Sequence, residues 1–311
     1  MSAAVTDEKS DDDTTLISCA SCGIAGGDDI TLKKCACKLV RYCSVKCQRE
    51  HRSKHKRECK KRVAALRDEI LFTQPESTHY GDCPICCLPV PIDREKFTLM
   101  PCCSQVICNG CDFANLRREY DGKLDHKCPF CRTAKPKTAE EKMERLLNRI
   151  EANDPVAMCR MGAKRCDEGD YKGAFEFWSR AADLGDAMAH YQVSVLYREG
   201  QGVEKDEKKE LHHLTEAAIG GHPHARHNLG SKEAGNFRME KAVKHWEIAA
   251  KLGCDASLAG LKLFYSTGLV SKDDFAAALR GCQAAIDAAK SPQREEAYAF
   301  SKLYAEYKRG T

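Results

Sequence analysis

No stretch of this 311-residue sequence approaches the roughly 18 consecutive apolar residues that a membrane span needs, and no membrane partner is expected. The chain opens on MSAAVTDEKSDDDTT, which is polar and acidic and contains no apolar leader. The expected setting is therefore a reducing, intracellular one, cytoplasmic or nuclear. There is no phosphate-binding glycine loop, and no Ser-His-Asp or Cys-His arrangement suited to a nucleophile. Tryptophan is scarce, with only Trp178 and Trp246 in the whole chain. These absences point away from transport, nucleotide hydrolysis and covalent catalysis, and toward binding.

Cysteine is plentiful, and it is crowded. Of 20 cysteines, 16 fall between Cys19 and Cys131, leaving Cys159, Cys166, Cys254 and Cys282 for the rest of the chain. In a reducing compartment CxxC pairs read as thiolate ligands for zinc rather than as bridges. The net charge of +4 is modest but uneven, with an acidic tail over residues 1–17 and the basic block KCQREHRSKHKRECKKR from Lys46 to Arg62. No aromatic residues interleave with those charges, so a solvated helix face is the better reading and nucleic acid the lesser one.

The first cluster reads CASC, CAC, YCSVKC and HKREC, and supplies Cys19, Cys22, Cys35, Cys37, Cys43, Cys47, His55 and Cys59. Eight soft or imidazole donors in about 40 residues suffice for two tetrahedral zinc sites. A segment this short cannot build an adequate apolar core. Metal would supply most of its folding free energy, on the order of 10 kcal/mol per site. The run RYCSVKCQREHRSKHKREC resembles the MYND zinc finger, a protein-interaction module that grips short proline-containing peptides, and the resemblance covers residues 19–59. It implies Cys19, Cys22, Cys43 and Cys47 on one zinc, and Cys35, Cys37, His55 and Cys59 on the other. Spacing alone does not give that pairing. Arg52 stands where the family places the tryptophan of its peptide groove, a departure that bears on peptide preference and leaves the donors untouched.

The second cluster is CPIC (Cys83, Cys86), CC (Cys102, Cys103), CNGC (Cys108, Cys111) and CPFC (Cys128, Cys131), with intervals of 15, 4 and 16 residues. Gln105 stands where an ordinary RING finger has a histidine donor. Zinc accepts thiolate as readily as imidazole, so Cys102 and Cys103 can together complete the set. Adjacent donors strain the backbone, and a set with one of them spare and Cys87 or His126 in its place stays open. The stretch PCCSQVICNGC resembles the all-cysteine RING finger, which implies Cys83, Cys86, Cys108 and Cys111 on a third zinc, and Cys102, Cys103, Cys128 and Cys131 on a fourth. RING ligases catalyse by orientation, holding a ubiquitin-conjugating enzyme so that its ubiquitin thioester is reactive. The resemblance carries conjugating-enzyme contacts onto Ile85, Pro129 and Leu116, and a linchpin role onto Arg132. It fails at Asn115, where ligases carry a large apolar residue, with Phe113 and Leu116 nearby.

Beyond Cys131, Met143, Leu146, Leu147 and Ile150 share a helix face, and from residue 153 the chain repeats itself. DPVAMCRMG, DAMAHYQVS, HPHARHNLG and CDASLAGLK align, and alanine pairs recur at Ala181, Ala217, Ala249 and Ala284, at intervals of 36, 32 and 35 residues. Such a period built from paired helices denotes an α-solenoid. LYREGQGVEKDEKKELHHLTEAAIGG is similar to Sel-one-like repeats, relatives of tetratricopeptide repeats. Trp178 and Trp246 occupy matching places and should be core, and His212, His213, His222, His224 and His227 lie near no metal-spaced cysteine.

The expected fold is thus multidomain, with two small zinc-stabilised cross-brace modules followed by an all-α solenoid of helix-turn-helix repeats. The boundaries are a tail (1–17), a MYND finger (18–60), a linker helix (61–79), a RING-type finger (80–135), a connecting helix (136–152), and four repeat units with a closing helix (153–311). The expected function is a zinc-binding adaptor carrying four zinc ions, whose partners are proteins, including a ubiquitin-conjugating enzyme and a substrate if the RING acts as a ligase. The alternative is the same scaffold without catalysis.

Overall fold

The computed structural model describes residues 18–27 and 29–310. The acidic tail over 1–17 lies outside them. The chain forms two compact units, residues 1–73 and 74–311.

In the first unit, β1 (Lys33–Lys34) pairs antiparallel with β2 (Arg41–Tyr42), and α1 (Val45–Leu71) follows. Ser44 caps α1 by accepting the Cys47 N–H. The buried core is Cys19, Cys35, Cys37, Tyr42 and Cys47, so thiols replace the aliphatic residues a larger domain would use. Residues 61–79 read as a separate linker helix, whereas the helix is continuous through residue 71. KKRVAALRDEIL offers no glycine or proline to break it, and Pro75 is the first residue that can.

The second unit begins with the other cysteine cluster. A 3₁₀ turn (Arg94–Lys96) leads into β3 (Phe97–Leu99), which pairs antiparallel with β4 (Val106–Cys108), and α2 (Asn109–Asp121) follows. Val90, Met100 and Ile107 are buried among Cys83, Cys108, Cys111 and Cys128. Next comes α3 (Ala139–Glu151), which buries Leu146 and Ile150 in the solenoid core while Leu147 faces out.

The solenoid pairs α4 (Pro155–Asp167) with α5 (Tyr171–Asp183), α6 (Ala187–Glu199) with α7 (Glu207–Ile219), α8 (Pro223–Gly235) with α9 (Met239–Lys251), and α10 (Asp255–Ser266) with α11 (Lys272–Ala288). α12 (Pro292–Gly310) closes the chain. Gly185, Gly221 and Gly253 end α5, α7 and α9 at φ of 88°, 80° and 89°, a conformation that favours glycine.

Helix pairs lock where a small residue meets a large one. Trp178 lies over Gly162 and donates Nε1–H to the Cys159 carbonyl at 2.9 Å; Trp246 lies over Gly230 and donates to the His227 carbonyl at 3.2 Å. The middle repeat puts Ser194 and Leu214 at the corresponding sequence places, both buried.

Rings tie the cysteine-rich region to the solenoid. Phe97, Tyr80, His79, His222 and Tyr191 pack in succession, the first two pairs tilted and the last two stacked, with centroids 4.5, 3.9, 4.3 and 4.3 Å apart. His222 occupies the N-cap place that Asp154 and Asp186 fill in the first two repeats, and its Nδ1 accepts the Ala225 N–H at 3.1 Å. An imidazole can cap a helix and stack at once. Neither buried ring nitrogen of His79 makes a hydrogen bond of good geometry, although the Gly221 carbonyl lies close enough to favour the protonated ring slightly. Burial dominates and pushes His79 down to about 3, with His224 and Arg94 adding repulsion.

Two outcomes follow. A Cβ at residue 162 would come within 2.5 Å of the Trp178 ring, so Gly162→Ala should cost about 1–3 kcal/mol in urea unfolding, part of it regained in a Gly162→Ser/Trp178→Leu double variant. The unfolded chain binds protons on His79 near pH 6.5 and the folded chain does not, so stability falls as pH drops from about 6.5 toward 3. Between pH 7 and 5 that loss should be about 2 kcal/mol from His79 alone, and His79→Phe should remove it from the unfolding curve.

Candidate metal centres

The cysteine pairs sit on a recurring backbone knuckle. After Cys22, Cys37, Cys86, Cys103 and Cys131 the next residue takes positive φ: Gly23 (73°), Lys38 (61°), Cys87 (55°), Ser104 (55°) and Arg132 (62°). The turn is closed by backbone bonds such as Gly23 N–H to Cys19 O (2.9 Å), Cys87 N–H to Cys83 O (2.8 Å) and Arg132 N–H to Cys128 O (3.1 Å). Non-glycine residues pay for this conformation, and a demanding turn geometry that aims both sulfurs inward offsets the cost.

Four donor sets result: Cys19, Cys22, Cys43, Cys47; Cys35, Cys37, His55, Cys59; Cys83, Cys86, Cys108, Cys111; and Cys102, Cys103, Cys128, Cys131. Within each, the four donor atoms lie within 4.8 Å of one another. A Zn–S bond of about 2.3 Å implies tetrahedral edges of about 3.8 Å. Sulfur separations are 3.5 Å for Cys22 and Cys43, 3.6 Å for Cys35 and Cys59, 3.8 Å for Cys86 and Cys108, and 3.9 Å for Cys103 and Cys128. His55 Nε2 lies 3.1 Å from Cys37 Sγ. These are tetrahedron edges, far longer than the roughly 2.05 Å of a disulfide.

Electrostatics agrees with the geometry. Cys83 is pulled down to about 4, chiefly by the neighbouring Cys108 thiol, while burial first pushes Cys111 up to about 12. Cys19 falls to about 6 because the backbone N–H groups of Cys22 and Cys43 outweigh its burial, and Cys43 rises to about 12 beside Cys22 and Cys47. In each case one thiolate forms easily and the next is resisted. A divalent cation at the centre lets all four ionise together, so the donors present fit zinc in type, number and spacing.

The place of Gln105 becomes clear from the backbone. In the Cys83 knuckle the first cysteine N–H bonds the carbonyl five residues on, Leu88, at 2.9 Å. In the third pair Met100 takes that first place, bonding Gln105 O at 2.9 Å, so Cys103 falls on the place of Cys86 and Cys102 on that of Ile85. Both sulfurs join the set, and Gln105 contributes only its carbonyl. The open alternatives go elsewhere. Cys87 is the exposed knuckle residue, and His126 is directed to Glu119 Oε2 at 3.2 Å.

The surface expected to meet a conjugating enzyme is divided. Ile85 and Phe130 are exposed at 42% and 45%, and Pro129 and Leu116 are half-buried. Asn115 is buried and donates to Glu119 Oε1 (2.9 Å) and to the Lys127 carbonyl (3.2 Å). Its Oδ1 accepts from Arg118 (3.2 Å) and from Arg132 (3.3 Å), so the linchpin position is tied back to α2. Glu119, which the sequence reading passed over, is the hub of this network. It is 1% exposed, and its carboxyl is held low because the Lys127 N–H, His126 and Asn115 together outweigh the cost of burial. An acidic residue four places after Asn115 on the same helix was the available signal.

Comparison with known proteins places two families on the chain. The MYND finger matches residues 19–59, and the Sel1 repeat matches residues 155–186, 187–222 and 223–254. Neither match reaches residues 80–135. A stretch of 56 residues is 38% identical to the Helicobacter pylori (strain J99) protein named "Putative beta-lactamase HcpC", covering 18% of this chain and 19% of that one. The chain thus spans about a fifth of that relative. Among solved structures, a Sel1 repeat protein from Oxalobacter formigenes aligns with 27% identity and a TM-score of 0.43, over 56% of this chain and 70% of that one. The protective antigen c5321 of uropathogenic Escherichia coli, which displays an SLR fold, aligns with 21% identity and a TM-score of 0.33, over 62% and 41%. The chain carries a zinc-finger module followed by an all-helical Sel1 solenoid, and among the described residues no helix is long and apolar enough to cross a membrane.

Removing the hub should loosen the last knuckle. Glu119→Ala leaves the Lys127 N–H without its acceptor and Asn115 with only the Lys127 carbonyl, and should cost about 1–3 kcal/mol, read by urea unfolding and by faster amide exchange over residues 115–128.

Proposed function

We propose that this chain is a zinc-held protein-interaction adaptor. The MYND finger and the helical repeats each present a surface to a protein partner, and one zinc ion fills each of the four donor sets. The carrying observation is the interleaving of those sets in pairs: Cys83 and Cys86 converge with Cys108 and Cys111, and Cys102 and Cys103 with Cys128 and Cys131. This cross-brace supports reading residues 80–135 as a RING-type module. It ties segments with little apolar core to two fixed points and leaves the intervening loops free to bind. Metal analysis of the purified chain should give four zinc ions. A count of two would remove one module from the reading. Cys102→Ser should lower the count by one, and Cys87→Ser should leave it unchanged.

A second reading is favoured by the exposed apolar side chains of Ile85 and Phe130, one in each CPxC turn: the RING-type module docks a ubiquitin-conjugating enzyme, with Arg132 as linchpin. Two apolar loops on one module are what such an enzyme contacts in the family this segment resembles. Asn115 works against it, because a buried polar residue stands where the groove wants apolar surface. Under this reading the zinc-loaded chain forms ubiquitin conjugates with at least one enzyme of a panel, and Ile85→Ala and Arg132→Ala each lower the rate about tenfold or more with zinc content unchanged. No conjugation with any enzyme, or indifference to both substitutions, leaves the adaptor without ligase activity.

A further inference from the structure

Arg294, in the first turn of the closing helix α12, reaches back 208 residues to a metal donor. Its Nη2 donates to Cys86 Sγ at 3.3 Å and to the Leu88 carbonyl at 3.1 Å. Its Nη1 donates to the carbonyls of Pro89 and Ala289, both at 2.7 Å. Three of these four acceptors belong to the loop that leaves the Cys83–Cys86 knuckle. The fourth is the end of α11, so the guanidinium spans the zinc-binding module and the last turn of the solenoid. The Nε–H is buried without an acceptor, a cost that the other contacts must exceed.

The rest of α12 is seated to match. A Cβ at residue 110 would lie 2.9 Å from the Arg294 backbone nitrogen, so only glycine lets the helix sit on the first turn of α2, between Cys108 and Cys111. Further along, Glu296 pairs with Arg117 at 2.6 Å and Phe300 packs on Phe113 with centroids 5.0 Å apart. α12 thus runs along the Gly110, Phe113 and Arg117 face of α2, the helix whose start carries two donors of the same set.

The chemistry of that set makes the contact conditional. Four thiolates around a divalent cation leave a net charge of about −2, and a guanidinium N–H aimed at a thiolate is a charge-assisted bond that offsets part of it. A protonated thiol is a weak acceptor. The loop over residues 86–89 is also shaped by the knuckle, with Cys87 at φ 55°, and presents its sulfur and two carbonyls together only while the donors converge.

We propose that Arg294 is an outer-shell residue of the Cys83, Cys86, Cys108, Cys111 centre, and that α12 is a clasp coupled to its metal: closed on α2 when the set is filled, released when it is emptied. The inference rests on the reading that this set holds zinc. By linkage the coupling runs both ways, so a docked α12 retains the metal as much as the metal retains α12. Release has a further consequence. Arg294 and Tyr298 of α12 line a cavity of about 1030 Å³ together with Ile286 of α11 and with Val90, Ile92 and Leu252, so one metal centre decides whether that cavity keeps its α12 wall.

The experiment uses the full zinc-loaded chain challenged with EDTA, with N-ethylmaleimide labelling of each cysteine followed by mass spectrometry. Arg294→Ala should speed labelling of Cys83, Cys86, Cys108 and Cys111 roughly 10–100-fold, and leave the other three sets at the wild-type rate. Arg294→Lys, which keeps the charge but loses the fork, should fall between. In the wild type, amides of residues 293–305 should lose protection from hydrogen exchange once those four thiols are labelled, a readout that needs no variant. Unchanged labelling in Arg294→Ala, or a protected α12 after the set is emptied, would overturn the clasp alone. Immediate labelling of the four thiols before any chelator would overturn the metal reading and the clasp with it.

Discussion

Convergence of four donors on one point is the constraint from which the N-terminal half of this protein follows. Residues 18–59 and 80–135 contain too few large apolar side chains to fold by burial, and their cores consist mostly of cysteine. Each knuckle spends a left-handed residue to aim its sulfur donors inward, and a knuckle meeting a second knuckle or a donor pair at a helix fixes the loops between them. The chain between the knuckles is then free to vary. That freedom lets Cys102 and Cys103 stand side by side with Met100 completing the turn, and lets Gln105 serve through its backbone alone.

The solenoid obeys a different rule, with its register set by complementary volume. Gly162 under Trp178 and Gly230 under Trp246 bring helices close enough for an indole N–H to reach a carbonyl. Where the second cysteine cluster rests on this array, the repeat departs from its own pattern. His222 replaces the aspartate cap and joins the ring stack that descends from Phe97, and Gly221 lends its carbonyl to the His79 N–H at 3.1 Å. A departure from a repeat is therefore a mark of a long-range contact.

Function divides along the same line. The MYND finger and the Sel1 repeats are the two regions with likeness to known families. The module between them has the donor geometry of a cross-brace but a polar, internally bonded α2 face, where Asn115, Glu119 and Arg132 satisfy one another. A side chain already held by its neighbours is costly to recruit for a partner, which is why the apolar Ile85 and Phe130 loops, rather than α2, are the part of that surface left open.

The residue types and spacings of the donors, the helical period of the second half and the matching tryptophans were all legible in the sequence, because each is a local pattern dictated by coordination number or by 3.6 residues per turn. The linker helix is the last part of α1, since a cysteine or histidine donor within an unbroken helix does not end it. What only the tertiary structure decided lies across long separations. Asn115 turns inward to Glu119 and Lys127, His79 stacks on His222, and Arg294 reaches Cys86. None of these leaves a period or a spacing to read. Each depends on which surfaces meet after the metal centres and the repeats have formed, and there a single guanidinium or imidazole is chosen for the acceptors and rings it finds.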